Sequence, residues 1–200
     1  MLRTTSLIGF GSGTSGGLSP LTDITAAMWD SDTAGLAAWT LSGNDASKTT
    51  AGSGGIFRNI RIKHATAPVL DGDFVWQYTQ VGDMGGNTDS SYGFFDITED
   101  ATWSTTTFNQ GLDSMTDSYW FDATTGTQNI ETFEGSTAKT SSISFNTSDQ
   151  FKWQRVGTTL TLSIAGSVVQ TWTGTSETLR FCASGYTANR ANISDIQFQN

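Results

Sequence analysis

At 200 residues the chain is one domain, or one domain with an arm, and it is long enough to bury roughly 70% of its unfolded surface. Only 14% of it is charged, 22 residues are Gly, and Ser with Thr fill over a quarter of the positions, a composition that excludes a helical bundle and a coiled coil. Ten basic residues against 19 acidic ones leave a formal net charge of -9, so the surface repels phosphate backbones and anionic lipid, and nucleic acid is excluded as a partner.

Residues 1–17, MLRTTSLIGFGSGTSGG, are Gly/Ser/Thr-rich with one short apolar patch. They have no unbroken apolar stretch ahead of a small-residue cleavage site, so no secretory signal is expected. Such a segment cannot form a core alone. The expected organisation is an arm over residues 1–18 that docks on a partner through Leu7, Ile8 and Phe10, followed by a β-sandwich domain over 19–200. Residues 19–28, SPLTDITAAM, predict the one short helix. Ser19 can cap it, Pro20 suits its first position, and Leu21, Ile24 and Met28 share a face.

From Trp39 onward the pattern has period two. In 73–81, DFVWQYTQV, the residues Phe74, Trp76 and Tyr78 point one way and Val75, Gln77 and Thr79 the other. Strands are likewise predicted over 37–41, 55–62, 91–97, 119–123, 142–146, 150–156, 159–165, 167–173, 178–184 and 191–198. Short strands divided by Gly, Asn, Asp and Ser clusters imply an all-β, two-sheet antiparallel sandwich. No run approaches 18 apolar residues, so no membrane insertion is expected. The single cysteine, Cys182, excludes a disulfide framework and reads as a small buried hydrophobe.

The most specific stretch is 151–198. An aromatic strand (Phe151, Trp153, Arg155) turns at Val156-Gly157 into a Leu160-x-Leu162-x-Ile164 strand, which turns at Ala165-Gly166 into SVVQTWT. A strand with Leu179, Phe181 and Ala183 and a terminal ISDIQF with Ile193 and Ile196 complete the order. This succession resembles the concanavalin A-like lectin/glucanase superfamily, in particular its laminin G-like members. The resemblance implies a jelly roll, and it brings glycan hydrolysis, calcium and glycan binding forward as functions to weigh.

Hydrolysis requires a carboxylate pair, and the E-x-D-x-x-E strand that the resemblance would imply for a glucanase is missing here. Glu131 and Glu134 lie three apart, as do Asp96 and Glu99, which puts each pair on opposite faces of a strand, so the chain reads as non-catalytic. His64 has no identifiable nucleophile partner and reads as a structural or surface residue. Asp83, Asn87 and Asp89 have the oxygen chemistry for calcium, but they fit no EF-hand spacing and are ordinary turn formers; no other cofactor is expected. Trp39, Trp76, Trp153 and Trp172 read as core. Tyr92, Trp103, Tyr119, Trp120 and Tyr186 sit beside polar loops and are the candidate rings for a glycan.

Three functions are weighed. An exterior-style sandwich without signal or disulfide, carrying an apolar arm, resembles the short jelly-roll proteins of tailed phages. It implies a virion surface protein, either a capsid decoration subunit or a tail fibre/adhesin module. Its partners would be other virion proteins, further copies of itself, as in a trimer, and a host-surface glycan. The alternative is a soluble carbohydrate-binding, lectin-like module; the third is a glycan hydrolase.

Overall fold

The computed structural model describes residues 20–31, 39–49, 58–62, 70–81, 90–99, 112, 115–123, 128–185 and 192–200. One antiparallel sheet, sheet A, contains β1 (Thr22–Asp23), β3 (Trp39–Ser42), β4 (Asp45–Lys48), β6 (Phe74–Val81), β11 (Gln150–Val156), β12 (Thr159–Ile164), β13 (Ser167–Thr173) and β15 (Asn192–Gln199). Its order is β13-β12-β11-β6-β15-β4-β3, with β1 also paired to β15. Sheet B contains β2 (Trp29–Ser31), β5 (Arg58–Ile62), β7 (Ser90–Asp96), β8 (Ser118–Ala123), β9 (Asn129–Glu134), β10 (Thr137–Ser144) and β14 (Leu179–Gly185). Its order is β10-β9-β8-β7-β14-β5-β2.

Alternation along the strands supplies the core between the sheets. Phe74, Trp76, Tyr78, Phe151, Trp153, Leu160, Leu162, Ile164 and Trp172 of sheet A face Tyr92, Phe94, Phe121 and Phe181 of sheet B, all buried. Rings meet in preferred geometries: Trp76 stacks on Phe181 at 4.6 Å and Trp153 on Trp172 at 5.4 Å, while Phe94 meets Trp153 edge-on at 76°. Each such pair contributes about 0.5–1.5 kcal/mol beyond its area. The four tryptophans read as core are all buried.

Turn chemistry follows the residues. Ala165 and Gly166 have φ of 48° and 81°, the pair of positive values that a two-residue type I′ hairpin needs between β12 and β13. Ile193 and Ile196, three apart, would face opposite ways on a regular strand. A bulge between Ser194 and Gln197, with Asp195 at φ 52°, turns both into the core.

The helix expected over 19–28 does not form. Thr22 and Asp23 pair with Phe198 and Gln197 of β15, Ile24 donates its N–H to Ile196 O at 2.9 Å, and only Ala26–Met28 make a 3-10 turn before β2 begins. Pairing to an existing sheet edge satisfies these backbone groups, and Ile24 still reaches the core. Beyond β1 and β2, β4 and β9 are strands that the alternation did not reveal. Among the described residues no helix is long and apolar enough to cross a membrane.

Arg155, the last residue but one of β11, is buried. Its Nε, Nη1 and Nη2 donate to Gly72 O at 2.7 Å, Glu177 O at 2.6 Å and Leu70 O at 2.7 Å, and the guanidinium lies 5.1 Å from the Phe74 ring centre. One side chain thus ties two loops to the end of sheet A.

Candidate functional site

The two outer faces differ. Sheet A presents half-buried amides and hydroxyls, among them Gln77, Thr79, Gln154, Thr161 and Gln197, with the Lys152 ammonium beside them. Gln77 donates to Gln197 at 3.1 Å, and Gln197 to Asp23 at 2.8 Å. The outer face of sheet B, by contrast, is covered. Register aligns three central strands, β14, β7 and β8, into three rows: Arg180–Phe95–Ser118, Cys182–Gly93–Trp120 and Ser184–Ser91–Asp122. Every residue of the grid is buried.

Leu112 and Met115 lie on this grid and join Phe95, Trp120 and Cys182 in a second apolar cluster. The Ser118 hydroxyl is 3.0 Å from Leu112 O and 3.2 Å from Met115 O, which fastens the cover. Glu99 secures the next residues, its carboxylate accepting the N–H groups of Thr116 and Asp117 at 2.8 and 3.2 Å. Trp120 stacks on Phe133 at 4.2 Å and donates its indole N–H to Gly135 O at 2.8 Å. Gly93 leaves the middle row without a side chain, because a Cβ there would stand 2.4 Å from both Trp120 Cβ and Tyr119 O.

The third row is made of oxygens. Ser91 donates to Asp122 Oδ1 at 3.2 Å. The Ser184 hydroxyl beside it is fully buried and has no protein partner. Asp122 is directly opposite Glu131 on β9, so the row continues to a half-buried carboxylate. Directly opposed Cβ atoms stand about 4.5–5.5 Å apart. Asp122 and Glu131 are therefore the carboxylate neighbours on this face, which linear spacing could not show. Glu134, weighed with Glu131 from sequence, is opposite Tyr119 instead and takes an ion pair from Lys139 at 2.5 Å. A serine hydroxyl both donates and accepts and an ionised carboxylate only accepts, so the row is suited to the hydroxyls of a polyol.

The sequence candidates fall differently. Tyr92, Tyr119 and Trp120 are corrected from ligand rings to core. Tyr92 packs between the sheets against Tyr78 and Phe121, Trp120 belongs to the covered grid, and Tyr119 is edge-on to Trp172, leaving no ring face for a sugar. Burial pushes the Tyr92 phenol up. Burial and then Glu177, which accepts the Tyr119 hydroxyl at 3.0 Å, push the Tyr119 phenol up. Near Tyr119, Asp117 is also raised, first by burial and then by Glu99, Glu177 and Asp96. Trp103, Tyr186, His64, the calcium candidates Asp83, Asn87 and Asp89, and the arm residues Leu7, Ile8 and Phe10 lie outside the described residues. Among the described residues no three His, Cys, Asp or Glu side chains are grouped to hold a metal. The oxygen row sits where β7 starts and β14 ends, the end of sheet B from which segments 82–89 and 186–191 continue the chain.

No family model and no curated protein matches the sequence. Solved structures do match. A legume lectin-like domain from Entamoeba histolytica aligns with a TM-score of 0.56 at 9% identity over 87% of this chain and 89% of its own. The fold is a lectin-like jelly roll. The carbohydrate recognition domain of Emp47p aligns over 94% of this jelly roll and 98% of its own chain, with a TM-score of 0.51 and 12% identity. A sialidase aligns with a TM-score of 0.56 at 8% identity over 89% of this chain, which spans only 18% of the sialidase's length.

Proposed function

We propose that this jelly roll is a non-catalytic, lectin-like carbohydrate-binding module whose ligand is a neutral glycan that meets the buried Ser184–Ser91–Asp122 row at its half-exposed end, Glu131 beside Asp122. The observation that carries the reading is the row itself. Three strands align three oxygen side chains, one hydroxyl is left without a protein partner, and Glu131 continues the row toward solvent. Two adjacent carboxylates repel a uronic or sialic acid and accept bonds from sugar hydroxyls, which favours neutral sugars. The likeness of the fold to the carbohydrate recognition domain of Emp47p supports the same class. Glycan-array binding by the full chain tests it, with signal expected on neutral sugars and suppressed by Asp122→Asn. Turnover of a polysaccharide that is lost in both Asp122→Asn and Glu131→Gln would replace it with the hydrolase reading.

The setting we propose is the surface of a bacteriophage particle, as a decoration subunit or a fibre module, with other virion proteins, sister copies and a host glycan as partners. Low charge, abundant Ser and Thr and the Leu7-Ile8-Gly9-Phe10 patch support it. Deleting residues 1–17 is expected to abolish assembly while leaving the sandwich folded. Unchanged assembly would overturn the arm's role.

A further inference from the structure

The outer face of sheet A carries a charge pattern opposite to that of the whole chain. Strands β13, β12, β11 and β6 lie side by side and contain no Asp or Glu, although the chain has 19 acidic residues. Arg155 is buried, so their one outward charge is Lys152, half-buried in the middle of β11. Register sets Gln77 directly on one side of it and Ser163 on the other, and the row runs on to Gln197 and Val168. Gln150 and Gln154, each two residues away along β11, share the same face.

The Lys152 ammonium has no counter-ion. Of the basic side chains described, Lys139 pairs with Glu134, Arg155 is held by three carbonyls, and Lys48 and Arg180 are buried and engaged. Lys152 makes no ion pair or hydrogen bond among the described residues, and neither the Gln154 amide nor the Ser163 hydroxyl is bonded there. The flanking carboxylates are committed elsewhere: Asp149 accepts the Asn146 N–H at 2.7 Å, Asp73 the Gly157 N–H at 2.6 Å, and Asp23 the Gln197 amide at 2.8 Å. Spacings along and across the strands put all three about 10 Å or more from Lys152, a Debye length at 0.1 M salt. The local field is therefore that of the lysine. Gln77, donating to Gln197, which donates to Asp23, is held in place beside it.

The chemistry of the face selects its occupant. One cation among neutral amides and hydroxyls suits one anionic group among neutral hydrogen-bonding ones. A dense polyanion would set further charges against a face without a second cation, on a chain of net charge -9. An extended peptide needs pockets for alternate side chains, which a row of amides and hydroxyls does not provide.

We propose that the outer face of sheet A is a second ligand site, where Lys152 receives the carboxylate of an acidic glycan and Gln154 and Ser163 bond the hydroxyls of the neutral sugars beside it. The site does not rest on the oxygen row, which lies on the outer face of the other sheet and repels the same carboxylate.

Calorimetric titration of the full chain with an oligosaccharide that alternates glucuronic acid and N-acetylglucosamine tests the site, with its carboxyl-reduced form and polyglutamate as comparison ligands. The wild type should bind the acidic oligosaccharide and neither comparison ligand at this face. Lys152→Gln should weaken binding about tenfold or more, and so should Gln154→Glu, which keeps the ammonium but gives it a carboxylate of its own. Asp122→Asn should leave this binding unchanged, so failure of the oxygen row and failure of this site are read separately. Equal binding of the carboxyl-reduced form, preference for polyglutamate, a wild type that does not bind, or affinity that survives both variants would each overturn the proposal. Should Lys152→Gln fail to fold, Gln154→Glu and the carboxyl-reduced ligand still decide it.

Discussion

Arg155→Met is the most informative single change to the scaffold. The methionine keeps an unbranched apolar stem but removes the guanidinium from the Phe74 ring and three charged-donor hydrogen bonds, to the carbonyls of Leu70, Gly72 and Glu177. Each such bond is worth about 1.5–3 kcal/mol. Gly72 is exposed and Glu177 half-buried, so water can replace the guanidinium there, whereas Leu70 is buried and its carbonyl keeps only the Leu179 N–H at 3.0 Å. One full loss and two partial ones come to about 3–5 kcal/mol. Burial pushes the Arg155 guanidinium down while Glu177, Asp71 and Asp73 pull it back up, so removing the charge also releases those carboxylates from their counter-ion. A domain has only about 5–15 kcal/mol in total. Urea unfolding should therefore show a midpoint lowered by about a fifth or more at unchanged slope, and Arg155→Lys, which cannot fork to three carbonyls, should fall between the wild type and Arg155→Met. A loss below about 1 kcal/mol would refute the clamp, since the bonds would then be no better than those to water.

Other changes test separate parts of the fold. Gly93→Ala places a Cβ 2.4 Å from Trp120 Cβ and Tyr119 O, both fixed by the sheet, so thermal unfolding should show a loss of at least about 2 kcal/mol; near-neutrality would mean that β7 and β8 can part. Ala165→Gly relieves a left-handed backbone at φ 48° and should raise stability by about 0.5–1 kcal/mol in the same assay. Asp117 has a folded-state pKa above its ordinary 3.8, so its ionised form costs stability at neutral pH, and that cost disappears as pH falls through the raised value toward 3.8. Asp117→Asn should accordingly raise the melting temperature at pH 7, with the advantage shrinking on acidification. An advantage that grows on acidification would contradict the sign.

Alternation carried the architecture because it is local. The predicted 150–156 and 167–173 coincide with β11 and β13, and the rings of Phe74, Trp76 and Tyr78 point where period two puts them. What escaped depends on contacts between distant segments. β4 reads DASK because Lys48 is buried on the core side beside Ala46, and β9 reads NIETFE because Glu131 and Phe133 occupy the partly covered face of sheet B. Residues 19–28 have helical spacing, yet the edge of β15 offers Thr22, Asp23 and Ile24 backbone partners that an isolated turn cannot. Tyr119 and Trp120 are consecutive and both buried, which is possible only because Leu112 and Met115 cover the second face. The oxygen row needed the register: Ser184, Ser91, Asp122 and Glu131 come from four strands, and only pairing brings them side by side.

Ligand titration of the full chain and of Glu131→Gln, Asp122→Asn and Gln77→Ala, using a neutral glycan taken from the array, measures most directly whether the Glu131 end of that row is the binding site. Glu131→Gln and Asp122→Asn should each weaken binding at least tenfold with melting temperatures near the wild type, while Gln77→Ala on the outer face of sheet A should bind as the wild type does. Binding that survives both row variants and fails in Gln77→Ala, or a wild type that binds no glycan, would contradict it.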